Sequence, residues 1–447
     1  MILKHSSLQG THDADVSLTA HDRHVGRTFL VSYQHLKADD PTDALALQIL
    51  ARAARLAPGE PIPLDLLLAT VDLDAELLVG QRALQRLINL SLLTAEDDTV
   101  QLHRLIHAFV GAVVPDTTAL NVVEQVMCDC AKGINAAGYP SIMQSLVGHL
   151  RWLVRAVNDR TEPSIAAVAN ELADHLSSTG DYVRAQSLYE RALAINEQIL
   201  GPDHPDTAAS LNNLALLLHS TGEYAGAWTL YKRALAINEQ VLGPDHPATA
   251  SSMNNLAGLL DTMGDYTRAR SLYERALAIR DQTLGPDHPD IATSMNNLAA
   301  LLQTTGEYDG ARLLYKRALA INEQVLGPDH PTTAVRLNNL AGLLDTMGDY
   351  TGARLLYERA LAIREEVLGP DHPTTASSLN NLAVLLQATG DYGGARPLYK
   401  RVLAINEQTL GPDHPDIAIS LNNLAVHMEA MGEYVGVRPL YPTITGR

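Results

Sequence analysis

The sequence predicts an all-α solenoid of about seven helix-turn-helix repeats, preceded by a small winged-helix-like domain. Two observations carry the solenoid. The pentapeptide Gly-Pro-Asp-His-Pro begins at Gly201, Gly243, Gly285, Gly327, Gly369 and Gly411, so each copy starts 42 residues after the last. A second marker keeps step: Gly180, Gly222, Gly264, Gly306, Gly348, Gly390 and Gly432 each precede Asp-Tyr or Glu-Tyr. A fixed period in this range marks units that each bury an apolar face against their neighbours. Such arrays offer long surfaces, so recognition is the expected class of function. A third observation, non-repeating helical segments that lead into a short hairpin, predicts the domain in front.

One unit justifies the repeat. A first helix is predicted from Pro205 to Ser220, with Leu211, Leu214, Ala215 and Leu218 at helical spacing. Pro205 suits a first helical position, and Asp206 complements the positive end of the helix. Thr221-Gly222-Glu223 forms the turn, where Gly takes the left-handed conformation that follows a helix. A second helix is predicted from Tyr224 to Leu242, with Ala227, Leu230, Tyr231, Ala234, Leu235, Ile237 and Val241 as its buried stripe, and Gly243-Pro244 stops it. Small Ala at 215, 227 and 234 lets the helices approach closely, while Tyr224 and Tyr231 fill the space between them.

Composition narrows the function. The 447 residues are too many for one ordinary globular core, but a stacked array with 46% hydrophobic residues accommodates them. A net charge of −18 argues against a nucleic-acid partner, since backbone binding needs clustered Lys and Arg. Cys128 and Cys130 are the only cysteines. Two apart, they form neither a disulfide framework nor a zinc site, which favours a reducing, cytoplasmic compartment. On one helix they face different ways and are expected to be buried, inert thiols. Met-Ile-Leu-Lys-His-Ser-Ser has no apolar core of a secretory leader, and no run is long enough to span a membrane. No cofactor, metal or membrane partner is expected. The sequence contains no nucleophile–base arrangement or metal cluster, so no enzyme activity is expected.

The repeated Leu-Asn-Asn-Leu-Ala, Gly-Glu-Tyr, Leu-Tyr-Lys-Arg-Ala-Leu-Ala-Ile and Leu-Gly-Pro-Asp-His-Pro resemble the long tetratricopeptide repeats of kinesin light chains and of bacterial proteins that share them. The usual unit has about 34 residues; the extra eight lengthen the helices and the loop. The resemblance runs from about residue 164 to the C-terminus and implies a right-handed superhelix. Seven units are visible, counting a divergent first (Ser164 to Leu200) and a cut-off seventh whose last helix would hold Pro439 and Pro442. Units also alternate: Asp261-Thr262-Met263-Gly264-Asp265 returns at Asp345 to Asp349, 84 residues on.

The first helix of each such unit lines a concave groove. Asn212 is expected to point there, with equivalents Asn170, Asn254, Asn296, Asn338, Asn380 and Asn422. Their spacing of about 8–10 Å forms a ladder of amides able to hold the backbone of an extended peptide. The competing expectation is structural, with the asparagines satisfying carbonyls between units. A turn later come Leu216, Gly258, Ala300, Gly342, Val384 and Val426, which leave room. Beyond them His219, Asp261, Gln303, Asp345, Gln387 and Glu429 vary and could set specificity. In kinesin light chains the matching asparagines contact cargo peptides, and basic residues meet acidic cargo. The neutral or acidic row here does not predict the same cargo. The His of Gly-Pro-Asp-His-Pro occurs once per unit, too far from its neighbours to share a metal, and a capping or loop-packing role is expected.

The expected domains are a flexible 1–25, a winged-helix-like 26–115, a helical bridge 116–163 and the repeat array 164–447. In the second, helices follow Pro41 and Pro63 and a third runs from Gln81 to Leu90. Ser91–Thr94 and Thr99–Leu102 then flank Glu96-Asp97-Asp98 as a hairpin. The third helix carries only Arg82 and Arg86, and the hairpin tip is acidic, so DNA reading is not expected. Leu45 to Pro63 and Leu84 to Val110 resemble the winged helix of NB-ARC/STAND signal-transduction NTPases. In that family a Met-His-Asp motif senses the ADP phosphate; Leu102-His103-Arg104 matches it only at His103. His103 is therefore a nucleotide-sensing candidate, with hairpin packing as the alternative. No Gly-x-x-x-x-Gly-Lys-Ser/Thr is present. The chain resembles the C-terminal regulatory part of such a switch, with an NTPase module as a possible partner in trans. The leading expectation is an interaction scaffold or ligand sensor that binds a peptide or protein segment in the groove.

Overall fold

The computed structural model describes residues 29–71, 77–113, 118–137, 140–155, 162–409 and 415–433. The expected flexible 1–25 and the last helix with Pro439 and Pro442 lie outside them. The chain forms two compact units, Met1–His175 and Leu176–Arg447.

In the first unit, α1 covers 29–34. Then come α2 (Pro41–Ala53), β1 (Pro61–Pro63), α3 (Leu64–Ala69), α4 (Leu77–Asn89), β2 (Thr94–Glu96), β3 (Thr99–Gln101) and α5 (Arg104–Val113). Asp40 caps α2 by accepting from the Thr42 and Asp43 N–H groups. Asp43, 6% exposed, binds the Arg86 Nε at 3.0 Å and ties α2 to α4. Burial pushes the Asp43 carboxyl up, but the Lys37 N–H and the Arg86 guanidinium together hold it below the usual carboxylate range. The strands form an antiparallel sheet in the order β1-β3-β2, with Ile62 and Ala95 both opposite Val100. Ile62 and Val100 are buried and anchor the sheet to the core.

One expectation is corrected here. The first hairpin strand lies at Thr94–Glu96, not Ser91–Thr94. Ser91 takes φ 56° and the Leu92 N–H donates to Leu87 O at 2.9 Å, so residues 90–92 complete the end of α4. The third strand, β1, was not anticipated, because three residues bracketed by prolines carry no strand period. After α5, α6 (Ala119–Ala137) and α7 (Pro140–Arg155) follow. Cys128 and Cys130 on α6 are half-buried, and burial raises both thiols, Cys128 to about 11. His149 on α7 is 1% exposed. It accepts from Ala57 N–H through Nδ1 at 3.0 Å and donates from Nε2 to Pro61 O at 2.9 Å. The helix α8 (Pro163–Ser178) crosses the boundary between the units.

The second unit is the array. Its helices are α9 (Tyr182–Ile199), α10 (Pro205–Ser220), α11 (Tyr224–Val241), α12 (Pro247–Thr262), α13 (Tyr266–Leu284) and α14 (Pro289–Thr304). They continue with α15 (Tyr308–Val325), α16 (Pro331–Thr346), α17 (Tyr350–Val367), α18 (Pro373–Ala388), α19 (Tyr392–Thr409) and α20 (Pro415–Ala430). Even-numbered helices from α10 are the first (A) helices of a repeat and odd-numbered ones the second (B). Each A–B turn needs its Gly: Gly222 takes φ 85°, and Glu223 N–H reaches back to Leu218 O at 2.7 Å. Within α10, Leu211 and Ala215 are fully buried and Leu214 and Leu218 nearly so. Each core layer joins adjacent repeats: Ala250, Met253, Ala276 and Ile279 pack with Leu235 from the preceding B helix. No single repeat therefore buries its apolar face alone.

Two positions differ from the expected stripe. Val241 is 49% exposed at the last turn of α11, and Tyr224 is 37% exposed at its first. Both sit at helix ends, where the neighbouring repeat no longer covers them. Tyr231, mid-helix, is fully buried, and burial pushes its hydroxyl far above the usual tyrosine range.

Candidate functional site

The histidines of the pentapeptide cap the A helices. His204, His246, His288, His330 and His372 accept through Nδ1 from the N–H two residues on, each at 3.1 Å. The imidazole does the work usually given to Ser or Asp at this position. Among the described residues no group of three His, Cys, Asp or Glu is placed to hold a metal.

The A-helix face turned away from the B helices is the candidate site. In α10, Ala209 and Leu216 are exposed and Asn212 and His219 half-buried, one stripe at helical spacing. Along this face Leu216, Val384 and Val426 are 60%, 45% and 44% exposed. At Gly258 and Gly342 the Tyr273 and Tyr357 hydroxyls lie beneath the backbone, 3.4 and 3.3 Å from where a Cβ would stand. The 84-residue alternation seen in the sequence thus varies the depth of the face.

The asparagines link successive A helices. Asn212 donates to Ser252 Oγ at 3.2 Å, Asn254 to Ser294 Oγ at 3.1 Å, and Asn338 to Ser378 Oγ at 3.1 Å. Asn296 and Asn380 instead accept from Asn339 and Asn423, at 2.7 and 2.9 Å. Asn254, Asn296 and Asn338 are only 7–8% exposed, Asn212 and Asn380 half-buried, and Asn422 exposed. The amides form the floor of the face, with carbonyl oxygens of Asn212, Asn254 and Asn338 enclosed and unpaired. Asn170 lies on α8 in the first unit and is half-buried.

The repeated serines of the A helices were not singled out from the sequence. Ser210, Ser252, Ser294, Ser378 and Ser420 are at most 4% exposed. Each accepts from the B-helix residue fourteen positions earlier: Asn196, Asn238, Arg280, Arg364 and Asn406, at 2.8–3.0 Å. Ser252, Ser294 and Ser378 also receive the A-helix asparagine amides and are hubs. The signal was available as a Ser two residues before Asn212, Asn254, Asn296, Asn380 and Asn422. Its partners, though, lie on the previous repeat and are invisible to a single-helix pattern.

The variable row also has partners. His219 Nε2 meets Thr262 Oγ1 at 2.9 Å, and Gln387 Oε1 meets His427 Nδ1 at 2.9 Å. Gln303 donates to Thr346 Oγ1 and accepts from the Tyr315 hydroxyl, both at 3.4 Å. Asp261 and Asp345 are half-buried, and that burial raises both carboxyls above the usual range. His103, in the first unit, is exposed and accepts from Leu105 N–H at 3.3 Å, at the start of α5. No helix among the described residues is long and apolar enough to cross a membrane.

The family model described as Tetratricopeptide repeat matches at 164–240, 218–282, 262–324, 311–366, 347–408 and 374–435. No curated protein matches the chain. A Podosopora anserina protein with nearly identical kinesin-light-chain TPR-like repeats is 30% identical over 46% of this chain and 98% of its own, with a TM-score of 0.40. The apo form of the quorum sensor NprR from B. thuringiensis is 14% identical, covers 85% of this chain and 95% of its own, and reaches a TM-score of 0.50. A signal-transduction ATPase (STAND) protein with a tetratricopeptide repeat sensor, from Pyrococcus horikoshii, is 14% identical over 98% of this chain and 66% of its own, with a TM-score of 0.47. The matched segments run from 164 to 435, more than half of the sequence, and the chain belongs to the tetratricopeptide repeat family.

Proposed function

We propose that the protein is a non-catalytic, cytoplasmic interaction scaffold or ligand sensor whose A-helix face binds a peptide or protein segment as a concave groove. The observation that carries this reading is the exposed apolar row Leu216, Val384 and Val426, which lies beside polar side chains of both donor and acceptor type. Exposed apolar side chains set among polar ones suit an extended segment whose backbone needs hydrogen bonds and whose side chains need cover. The asparagine floor holds the helices in register, and its more open members, Asn212, Asn380 and Asn422, reach the ligand together with His219, Asp261, Gln303, Asp345 and Gln387.

The test is affinity capture from the native lysate with the wild type and a Leu216→Glu/Val384→Glu/Val426→Glu variant. The three sites are solvent-facing, so the variant keeps its helical circular dichroism. Proteins lost from the variant support the groove. Identical partners on both baits contradict it.

A second reading has its own support. In the first unit, the order α2-β1-α3-α4-β2-β3 with sheet order β1-β3-β2 fits a winged helix. On this reading the chain is the regulatory part of an NB-ARC/STAND NTPase switch whose nucleotide-binding module acts in trans. It predicts that the chain alone binds neither ATP nor ADP by calorimetry. It also predicts that the chain captures a Walker-type NTPase, and that His103→Ala alters that NTPase's ADP release; no such capture would end it.

A further inference from the structure

One junction between B helices departs from the pattern of the others. Trp228 on α11 stands where the later repeats have Arg270, Arg312, Arg354 and Arg396. At two of those positions the arginine reaches the next repeat: Arg270 pairs with Glu307 at 2.7 Å and Arg396 with Glu433 at 2.9 Å. Trp228 cannot make that bridge. Asp265, the equivalent of Glu307, pairs instead with Arg268 of its own repeat, which replaces the later Gly310, Gly352 and Gly394. A third difference is the small Ser271, at the position of Leu313 and Leu355.

A cleft of about 450 Å³ opens at this junction, between α11 and α13. The volume suits a small organic ligand. Leu256 and Leu260 of α12, 5% and 2% exposed, form its floor, and the half-buried Trp228 ring forms one wall. Two cations stand at the ring: Lys232 Nζ lies 5.5 Å and Arg268 Cζ 5.4 Å from its centroid. Their charges are not equivalent. Asp265 neutralises Arg268, and Arg275 neutralises Glu239, the acid of the lining. Lys232 is exposed and makes no ion pair among the described residues. The cleft is therefore apolar at its floor and carries one uncompensated positive charge at its rim.

We propose that this cleft binds a small amphipathic carboxylate, with its apolar body on the leucine floor against Trp228 and its head on Lys232. Covering the apolar lining supplies most of the affinity, and the ammonium selects the anion. The long, flexible Lys232 side chain leaves the ring to meet the head. The body is a flat aromatic ring or an aliphatic chain; the head chemistry is shared. The lining comes from the B helices and from buried side chains of α12, so the site does not rest on the groove reading.

The experiment uses the full chain labelled with 15N-tryptophan. The two tryptophans, Trp152 and Trp228, give two indole N–H signals, and Trp228→Arg, which restores the residue of the later repeats, assigns them. Sodium 2-naphthoate and sodium octanoate are titrated at constant ionic strength, with 2-naphthamide as the neutral control. The expected result is a saturable shift of the Trp228 signal with 2-naphthoate while Trp152 stays in place. Ser271→Leu, which puts the side chain of the later repeats into the cleft, abolishes the shift. Lys232→Gln weakens binding by on the order of threefold. Both positions are exposed, so both variants keep the fold. Octanoate that saturates the same signal extends the site to aliphatic acids, and octanoate without effect restricts it to aromatic ones. No saturable Trp228 shift with either acid, equal binding of 2-naphthoate and 2-naphthamide, or a shift that survives Ser271→Leu overturns the site. None of these results depends on the lysate capture, so failure here and failure of the groove are distinguishable.

Discussion

Asn212 on one A helix donates its amide to the Ser252 hydroxyl on the next, 3.2 Å away, and Ser252 also accepts from Asn238 at 3.0 Å. One hydroxyl thus ties three helices of two repeats. Each neutral bond contributes about 0.5–1.5 kcal/mol, but leaving a buried donor unsatisfied costs about 1–3 kcal/mol. The hubs therefore set register between repeats as well as adding stability.

Ser252→Ala should lower the denaturation midpoint by the equivalent of about 1–3 kcal/mol. Ser294→Ala should cost more, because it removes an acceptor from the buried Arg280 guanidinium, which donates to Ser294 Oγ at 2.8 Å and keeps only Asp290 O and Ser251 Oγ. Urea denaturation of both variants checks the order. Equal midpoints would show that Asp290 O and Ser251 Oγ suffice for the charged donor.

The capping histidines predict a rescue. His246→Ala removes the acceptor for the Ala248 N–H and should destabilise the array by about 0.5–2 kcal/mol, while His246→Asp should restore most of it. If Asp and Ala lose equal stability, the ring matters for loop packing and not for its acceptor nitrogen.

The first unit should loosen in acid. Burial, the largest cause, holds His149 below its ordinary value of 6.5, and Pro61 O and Glu60 oppose this. The unfolded chain then takes up the proton first as pH falls, so stability is complete above about 6.5 and is lost progressively below it. His107, also lowered mainly by burial, acts in the same direction. Hydrogen exchange of the peptide spanning 50–63, corrected for intrinsic rates, should rise between pH 7 and pH 5 and reveal loss of the Ala57 bond to His149. The variant His149→Gln, which keeps an acceptor and a donor, should flatten that rise.

Much of the fold is legible because the period repeats the same physics many times. The A helix was readable from Pro205 to Ser220, since Pro and His mark its start and Gly222 its end. Tyr224 and Val241 were misassigned because a helical stripe records which way a side chain faces, not whether the next repeat reaches that turn. The strand β1 escaped because Pro61 and Pro63 mask it. The asparagine row was readable as a row, but not its burial, which depends on Ser252, Ser294 and Ser378 forty residues on.

Exposed apolar side chains occur on both faces of the array: Leu216 and Val384 on the A helices, and Leu313 and Leu355, 70% and 63% exposed, on the B helices. Site-specific photo-crosslinking compares them directly. A benzophenone side chain is placed at 216, 384, 313 or 355 in turn, and irradiation is carried out in native lysate. The A-helix groove predicts the same crosslinked partner from 216 and 384 and none from 313 or 355. Crosslinks confined to 313 and 355 would contradict it and move the binding surface to the B helices.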